Sequence, residues 1–237
     1  MKPLRRNRTF FYFWSFVESL ISIHSRNESL VLILSNKWEL LREGDEELQM
    51  LRETAEEYTR QQSEKTPEKK SGDATEIVVR NHLQNHDLNV SPNCVYVNPS
   101  NREIDLLILK EKINRDHYSP NEVHTVIEIR NNAVGSAERN PNVIIRNRFD
   151  DIENLTKVNR FAVIVLSEKL PSTSGRKPYK WRIQEKEIGK KNCRVFTLVA
   201  RERWDRLYEI DVVNKMLENG ELRKTGEWEK LIAYLKE

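Results

Sequence analysis

Residues 102–109 read Arg-Glu-Ile-Asp-Leu-Leu-Ile-Leu, and residues 126–130 read Val-Ile-Glu-Ile-Arg. Both are strand sequences, short, rich in β-branched and aliphatic residues and bounded by polar ones. Each also holds a carboxylate where a buried strand normally excludes one, because an ionised group taken out of water is costly unless it is paired or bound to a metal. Asp105 stands directly before the apolar run Leu106–Leu109. Glu128 and Arg130 alternate with Ile127 and Ile129, so they share one strand face. If the two strands are neighbours, Asp105 and Glu128 converge, with Arg130 two residues along on the same side. Two hard oxygen donors meeting at a sheet edge suit Mg²⁺ or Mn²⁺, which keep water and take phosphate oxygens as further ligands.

Working outward, the pattern is that of a mixed α/β domain. Residues 74–85 read as a helix capped by Asp73, with Ile77, Val78 and Leu83 inward. Leu88–Val97 and Arg102–Lys110 read as strands joined by the turn Asn98-Pro-Ser-Asn101. Glu122–Arg130 is a third strand, with Val123, Thr125, Ile127 and Ile129 on one face and His124, Val126, Glu128 and Arg130 on the other. Residues 145–158 carry Ile145, Phe149, Ile152 and Leu155 at helical spacing, and residues 160–167 form a short buried strand. A strand, a helix and a second strand make a right-handed crossover, so this fourth strand lies parallel to the third. Val195–Val199 reads as a further strand, and Arg203–Glu218 and Glu227–Lys236 as closing helices.

The flanks differ from this body. Lys37–Asp73 holds seven basic and eleven acidic residues, with Leu41, Leu48, Leu51, Ala55 and Tyr58 at helical steps, and ends in the polar run 61–73. That reads as a helical arm and a hinge, either an assembly element for a homodimer or a solvated helix leaning on the body. Residues 1–36 pair a basic cluster (Lys2, Arg5, Arg6, Arg8) with an aromatic run from Phe10 to Phe16. Glu18 interrupts that run and no small-residue cleavage site closes it, so neither a secretory leader nor stable membrane insertion is expected. A docking helix and a surface-lying membrane helix both remain open for this segment. The expected division is therefore 1–36, 37–73 and 74–237.

A chain of 237 residues with 32% charged and 38% hydrophobic side chains can bury one ordinary core. Its net charge of +3 excludes a histone-like polycation. Cys94 and Cys193 form no Cys-x-x-Cys or Cys/His cluster, which supports neither a disulfide framework nor a zinc module and points to a cytoplasmic, reducing compartment. Charge is concentrated in residues 168–194, which hold nine basic and three acidic residues together with Tyr179 and Trp181. Arg176, Lys177, Lys180, Arg182, Lys190 and Lys191 are the candidate contacts to a nucleic-acid backbone, with a solvated surface loop as the alternative.

The Glu-Ile-Asp sequence leading into an apolar strand, the next strand ending Ile-Glu-Ile-Arg, and Glu76 on the preceding helix (Gly72-Asp-Ala-Thr-Glu76) together resemble the PD-(D/E)xK nuclease superfamily, the restriction-endonuclease-like fold. The resemblance covers about residues 72–167. It implies an α/β core of helix, three-stranded meander, crossover helix and parallel strand, here with an N-terminal helical arm and C-terminal helices. It also implies a metal-dependent endonuclease of the restriction or defence type acting on DNA, with RNA the alternative substrate. Asp105, Glu128, Glu76 and the Ile129 carbonyl would hold Mg²⁺ or Mn²⁺, and Asp105, Glu128 and Arg130 would be catalytic. Arg130 departs from the family's Lys. An Arg stays protonated and forks over phosphate, so it can stabilise charge but cannot serve as a base. A catalytically inactive protein that binds nucleic acid or a protein partner through the same fold is the competing expectation.

Overall fold

A computed structural model of the chain describes residues 45–61, 67–132, 140–169, 182–202, 207 and 209–237. Residues 1–36, Arg176, Lys177, Lys180, Tyr179 and Trp181 lie outside the described residues. Residues 46–237 form one unit. Its elements in chain order are helices α1 (Glu46–Arg60) and α2 (Pro67–Gln84), strands β1 (Tyr96–Val97), β2 (Leu106–Leu109), β3 (His117–Tyr118) and β4 (Val123–Asn132), helix α3 (Pro141–Thr156), strand β5 (Phe161–Lys169), the short helix α4 (Glu185–Ile188), strand β6 (Cys193–Arg201), helix α5 (Ile210–Glu218), strand β7 (Leu222–Lys224) and helix α6 (Glu227–Lys236).

The main sheet has the order β2-β4-β5-β6-β7. β2 runs antiparallel to β4, β4 and β5 are parallel, β5 and β6 are parallel, and β7 returns antiparallel to β6. The expected parallel crossover β4–α3–β5 is present. Central strands of such a sheet are covered on both faces and read as near-continuous apolar runs, and β5 is buried from Phe161 to Glu168. One face carries Leu106, Ile108, Ile127, Ile129 and Ile164 against α1, α2, α5 and α6. The other carries Leu107, Val126, Val163 and Val165 against α3, where Phe149 stacks on Phe161 with ring centroids 4.4 Å apart.

Several expectations need correcting. The run 61–73 is not a hinge throughout, because α2 begins at Pro67 and Asp73 lies inside the helix instead of capping it. Proline suits a first helical turn, where its missing N–H would have no partner. The boundary at residue 73 therefore falls within a helix. Nor is α1 an arm, since Met50, Leu51 and Ala55 are fully buried in the core, so its apolar face is spent within the chain and is not available for a homodimer. The first strand of the meander is reduced to β1, which pairs in parallel with β3 in a separate two-stranded sheet. Upstream, residues 88–95 follow β2 through the isolated bridges Val90↔Ile108 and Val95↔Ile104 and through the Leu107 N–H, which donates to Ser91 Oγ at 2.9 Å. Between them Pro92 has no N–H to donate, and Cys94 has a left-handed φ of 58°, so the ladder breaks. The helix expected over Arg203–Glu218 starts at Ile210.

One register shift changes a face. β2 pairs Leu106↔Ile127, Leu107↔Val126 and Ile108↔Thr125, but Leu109 pairs with Val123, so His124 is an extra residue in β4. Such a bulge flips the side-chain alternation. Val123 consequently packs with Val126 on the α3 face, not with Ile127. His124 contacts Thr125 Oγ1 at 3.0 Å.

Glu47, at 3% exposure on α1, ties the two ends of the unit together. Its carboxylate accepts hydrogen bonds from the backbone N–H groups of Thr225 (2.6 Å), Gly226 (3.1 Å) and Trp228 (2.8 Å), the opening of α6. A helix N-terminus offers unpaired N–H groups and a positive dipole end, which a carboxylate satisfies on both counts. Glu47→Ala is expected to cost about 2–4 kcal/mol, because it leaves the N–H groups of Gly226 and Trp228 without this acceptor, while that of Thr225 keeps the Leu198 carbonyl. Urea unfolding would show a lower midpoint at unchanged slope. A loss under about 0.5 kcal/mol, the range of ordinary surface substitutions, would show that the clamp contributes nothing.

Candidate active site

The register Leu106↔Ile127 places Asp105 opposite Glu128, one position beyond the end of β2. Asp105 Oδ2 accepts the Ile129 N–H at 2.7 Å. The side chain thus takes the place of the backbone acceptor that a longer β2 would have supplied. In an extended strand a residue's N–H and C=O leave by the same edge, so the Ile129 carbonyl points to the Asp105 side as well. Glu128 lies on the α3 face and its side chain is 1% exposed, against 14% for Asp105. The expected convergence of Asp105 and Glu128 is therefore present, at the carboxyl-terminal half of the parallel strands, where α/β sheets bind ligands.

Glu76 approaches from α2, with Asn93 Nδ2 donating to its Oε2 at 3.4 Å. Burial, then the charges of Asp73, Glu128 and Glu103, push its carboxyl up to about 7. Burial, then Glu128 and Glu76, push Asp105 up to about 8, against the opposing pull of the Ile129 N–H and Arg130. Three carboxyl groups are thus close enough to burden one another. Two guanidinium groups answer them. Arg130 Nη2 forms an ion pair with Glu128 Oε1, and Arg148 Nη1, from α3, donates to Glu128 Oε2 and lies 3.7 Å from Asp105 Oδ1. Burial works against the Arg148 charge, yet Glu128 and Asp105 raise its pKa overall.

The motif search over strands missed Arg148. The signal was available, since Ile145, Arg148, Phe149 and Ile152 follow the i, i+3, i+4, i+7 spacing of an inward helix face, and a cation in such a stripe needs a buried partner.

The donors are of the type a hard divalent ion takes, namely three carboxylates and a backbone carbonyl, and Glu128 Oε1, ion-paired with Arg130, is buried with no hydrogen bond beyond that pair. In charge and donor chemistry the set fits Mg²⁺ or Mn²⁺. Its spacing is wider, because among the described residues no three His, Cys, Asp or Glu side chains stand close enough to hold a metal ion.

The basic stretch is less open than its sequence suggests. Arg182 forks onto Glu168, with Nη2–Oε2 at 2.8 Å, near the end of β5 that neighbours Arg130. Lys190 is ion-paired with Asp150 and Glu153, and Lys191 is exposed, both just before β6 at the other end of the parallel strands. Among the described residues no helix is long and apolar enough to cross a membrane.

The antiparallel β2–β4 pair and the parallel crossover β4–α3–β5 make a mixed α/β protein with carboxylates gathered at the junction of the two strand pairs. No family model and no curated protein matches the chain. Among solved structures it is similar to the cAAA-bound form of NucC from P. aeruginosa ATCC27853, at 10% identity and a TM-score of 0.43, over 80% of this chain and 89% of that one.

The raised carboxyl groups have a pH signature. Asp105 is held at about 8 in the folded protein, against about 4 for an unfolded Asp. Between those values the folded state binds more protons than the unfolded one, so stability falls as pH rises through that window. Asp105→Asn keeps an acceptor for the Ile129 N–H and removes the charge. Its stability is expected to decline less between about pH 5 and 8 than that of wild type, measured by urea unfolding in chelator-containing buffers. Parallel curves would show that Asp105 carries no such burden.

Proposed function

We propose that this chain is a divalent-metal-dependent nuclease that hydrolyses phosphodiester bonds of DNA, in the manner of restriction or defence endonucleases. The observation that carries this reading is the placement of Asp105 opposite Glu128 across β2–β4, with Glu76 near enough to raise the Asp105 pKa. Carboxylates are gathered in this way where a cation or a proton is to be handled. Asp105, Glu128 and the Ile129 carbonyl, with Glu76, would hold Mg²⁺ or Mn²⁺, which lowers the pKa of a bound water and clamps the scissile phosphate.

The chain's own residues supply the rest. The Ile129 N–H fixes the Asp105 carboxylate, so one ligand needs no reorganisation. Arg130, with a 34% exposed side chain at the open end of the sheet, can reach a non-bridging phosphate oxygen and counter the charge that builds there. Arg130 takes no proton, so it is not the general base. Arg176, Lys177 and Lys180 would contact the nucleic-acid backbone, with Arg182 contributing where Glu168 releases it, whereas Lys190 and Lys191, at the other end of the parallel strands, would meet only nucleic acid that extends beyond the site.

A specific observation favours a second reading. Glu128 is engaged by Arg130 and Arg148 together, and a carboxylate neutralised by guanidinium groups also describes a nuclease fold that binds nucleic acid or a protein without cleaving it.

A plasmid-nicking assay with Mg²⁺ or Mn²⁺ separates the two. Wild type is expected to nick, and Asp105→Ala and Glu128→Ala to lose about 10²-fold or more, the usual cost of a group that stabilises the transition state. Equal cleavage by wild type and Asp105→Ala would remove this site from consideration. No cleavage by wild type, with cleavage by Arg130→Lys, would establish the non-catalytic reading.

A further inference from the structure

Arg148 and a divalent ion compete for the same oxygens. The guanidinium spans the two carboxylates that face each other across β2–β4, donating to Glu128 Oε2 and standing 3.7 Å from Asp105 Oδ1. An ion between Asp105 and Glu128 needs the same place and the same negative charge. The two occupants exclude one another, since a second cation brought to within about 4 Å of the first meets strong repulsion in a site with little water. Among the described residues no three carboxylate, His or Cys side chains close on a metal position, and at this pair the guanidinium stands where an ion would draw them in.

Arg148 also has the means to leave. Ile145, Phe149 and Ile152, its neighbours on the inward stripe of α3, are fully buried, whereas the Arg148 side chain is 30% exposed. The helix can stay packed while the long side chain turns outward. Its charged head then regains water, and its aliphatic stem stays along the apolar surface.

On the metal-centre reading above, we propose that Arg148 is a built-in competitor of the catalytic cation. Its guanidinium occupies the Asp105–Glu128 pair in the metal-free protein and is displaced when the ion binds. Metal affinity is therefore set by this exchange as well as by the carboxylates, and the site neutralises its own charge until the cation arrives.

The test is a Mn²⁺ titration of the full chain without nucleic acid, followed by the electron paramagnetic resonance signal of free Mn²⁺ at fixed pH. Wild type, Arg148→Gln, Arg148→Lys and Asp105→Asn are compared. Arg148→Gln is expected to bind Mn²⁺ about tenfold more tightly than wild type, a coupling of the size usual between linked sites. Arg148→Lys should gain less, because an ammonium still competes but cannot fork, and Asp105→Asn should bind more weakly. A purely structural Arg148 would give the opposite sign, since its loss would loosen the site. If Asp105→Asn weakens binding while neither Arg148 variant tightens it, the competitor role is overturned and the metal centre stands. If no variant binds Mn²⁺ in the low millimolar range, the metal-centre reading fails and the competitor role fails with it. Should Arg148→Gln not fold, as judged by circular dichroism, Arg148→Lys decides the question by the same comparison.

Discussion

A carboxylate with 1% exposure in a central strand is the constraint around which the rest of this structure is arranged. Glu128 cannot be left bare there, because breaking a buried ion pair by removing one partner costs about 3–5 kcal/mol. Two cations meet it, one from its own strand and one from α3. The second fixes more than charge. Because Arg148 sits among Ile145, Phe149 and Ile152, the ion pair and the apolar stripe demand the same rotation of α3 about its axis. Helix placement and carboxylate neutralisation are one solution.

Asp105 plays a comparable double part at the sheet edge. β2 is only Leu106–Leu109, and the strand it serves continues well past its end. A free edge in that position would leave the Ile129 N–H without an acceptor, and the Asp105 side chain supplies it. The same hydrogen bond that ends the strand pairing aims the carboxylate at Glu128. Hydrogen-bond satisfaction and site geometry follow from one residue, so the placement of Asp105 does not depend on a mobile loop.

The crossover β4–α3–β5 and the meeting of Asp105 with Glu128 were legible in the sequence because they follow from alternation and register alone. The apolar stripes and the two-residue period are strong local signals. What was not legible lay in charged residues at inward positions. Arg148 on α3, Glu47 on α1 beside Met50, Leu51 and Thr54, and His82 on α2 beside Val78, Val79 and Leu83 all break an apolar pattern. Each has a partner distant in sequence: Glu128 for Arg148, the α6 N–H groups for Glu47, and Glu46 and Glu53 for His82. The reading of α1 as an arm failed for this reason, since its acidic composition concealed the inward face. The broken first strand and the bulge at His124 were hidden because backbone irregularity depends on single residues, here Pro92, Cys94 and one extra position in β4.

The clamp between Glu47 and the start of α6 joins residues 178 to 181 positions apart. During synthesis α1 leaves the ribosome long before Thr225 and Trp228 exist as its partners. The core face of α1 and the carboxylate of Glu47 must wait, exposed, while the sheet assembles. Contacts of such long range make folding slow and leave apolar surface uncovered on the way. The carboxylate cluster on β2 and β4 is complete in the chain well before the domain can close. A nascent chain of this protein therefore carries all the proposed site residues without the finished fold that holds them, which separates making the site from arming it.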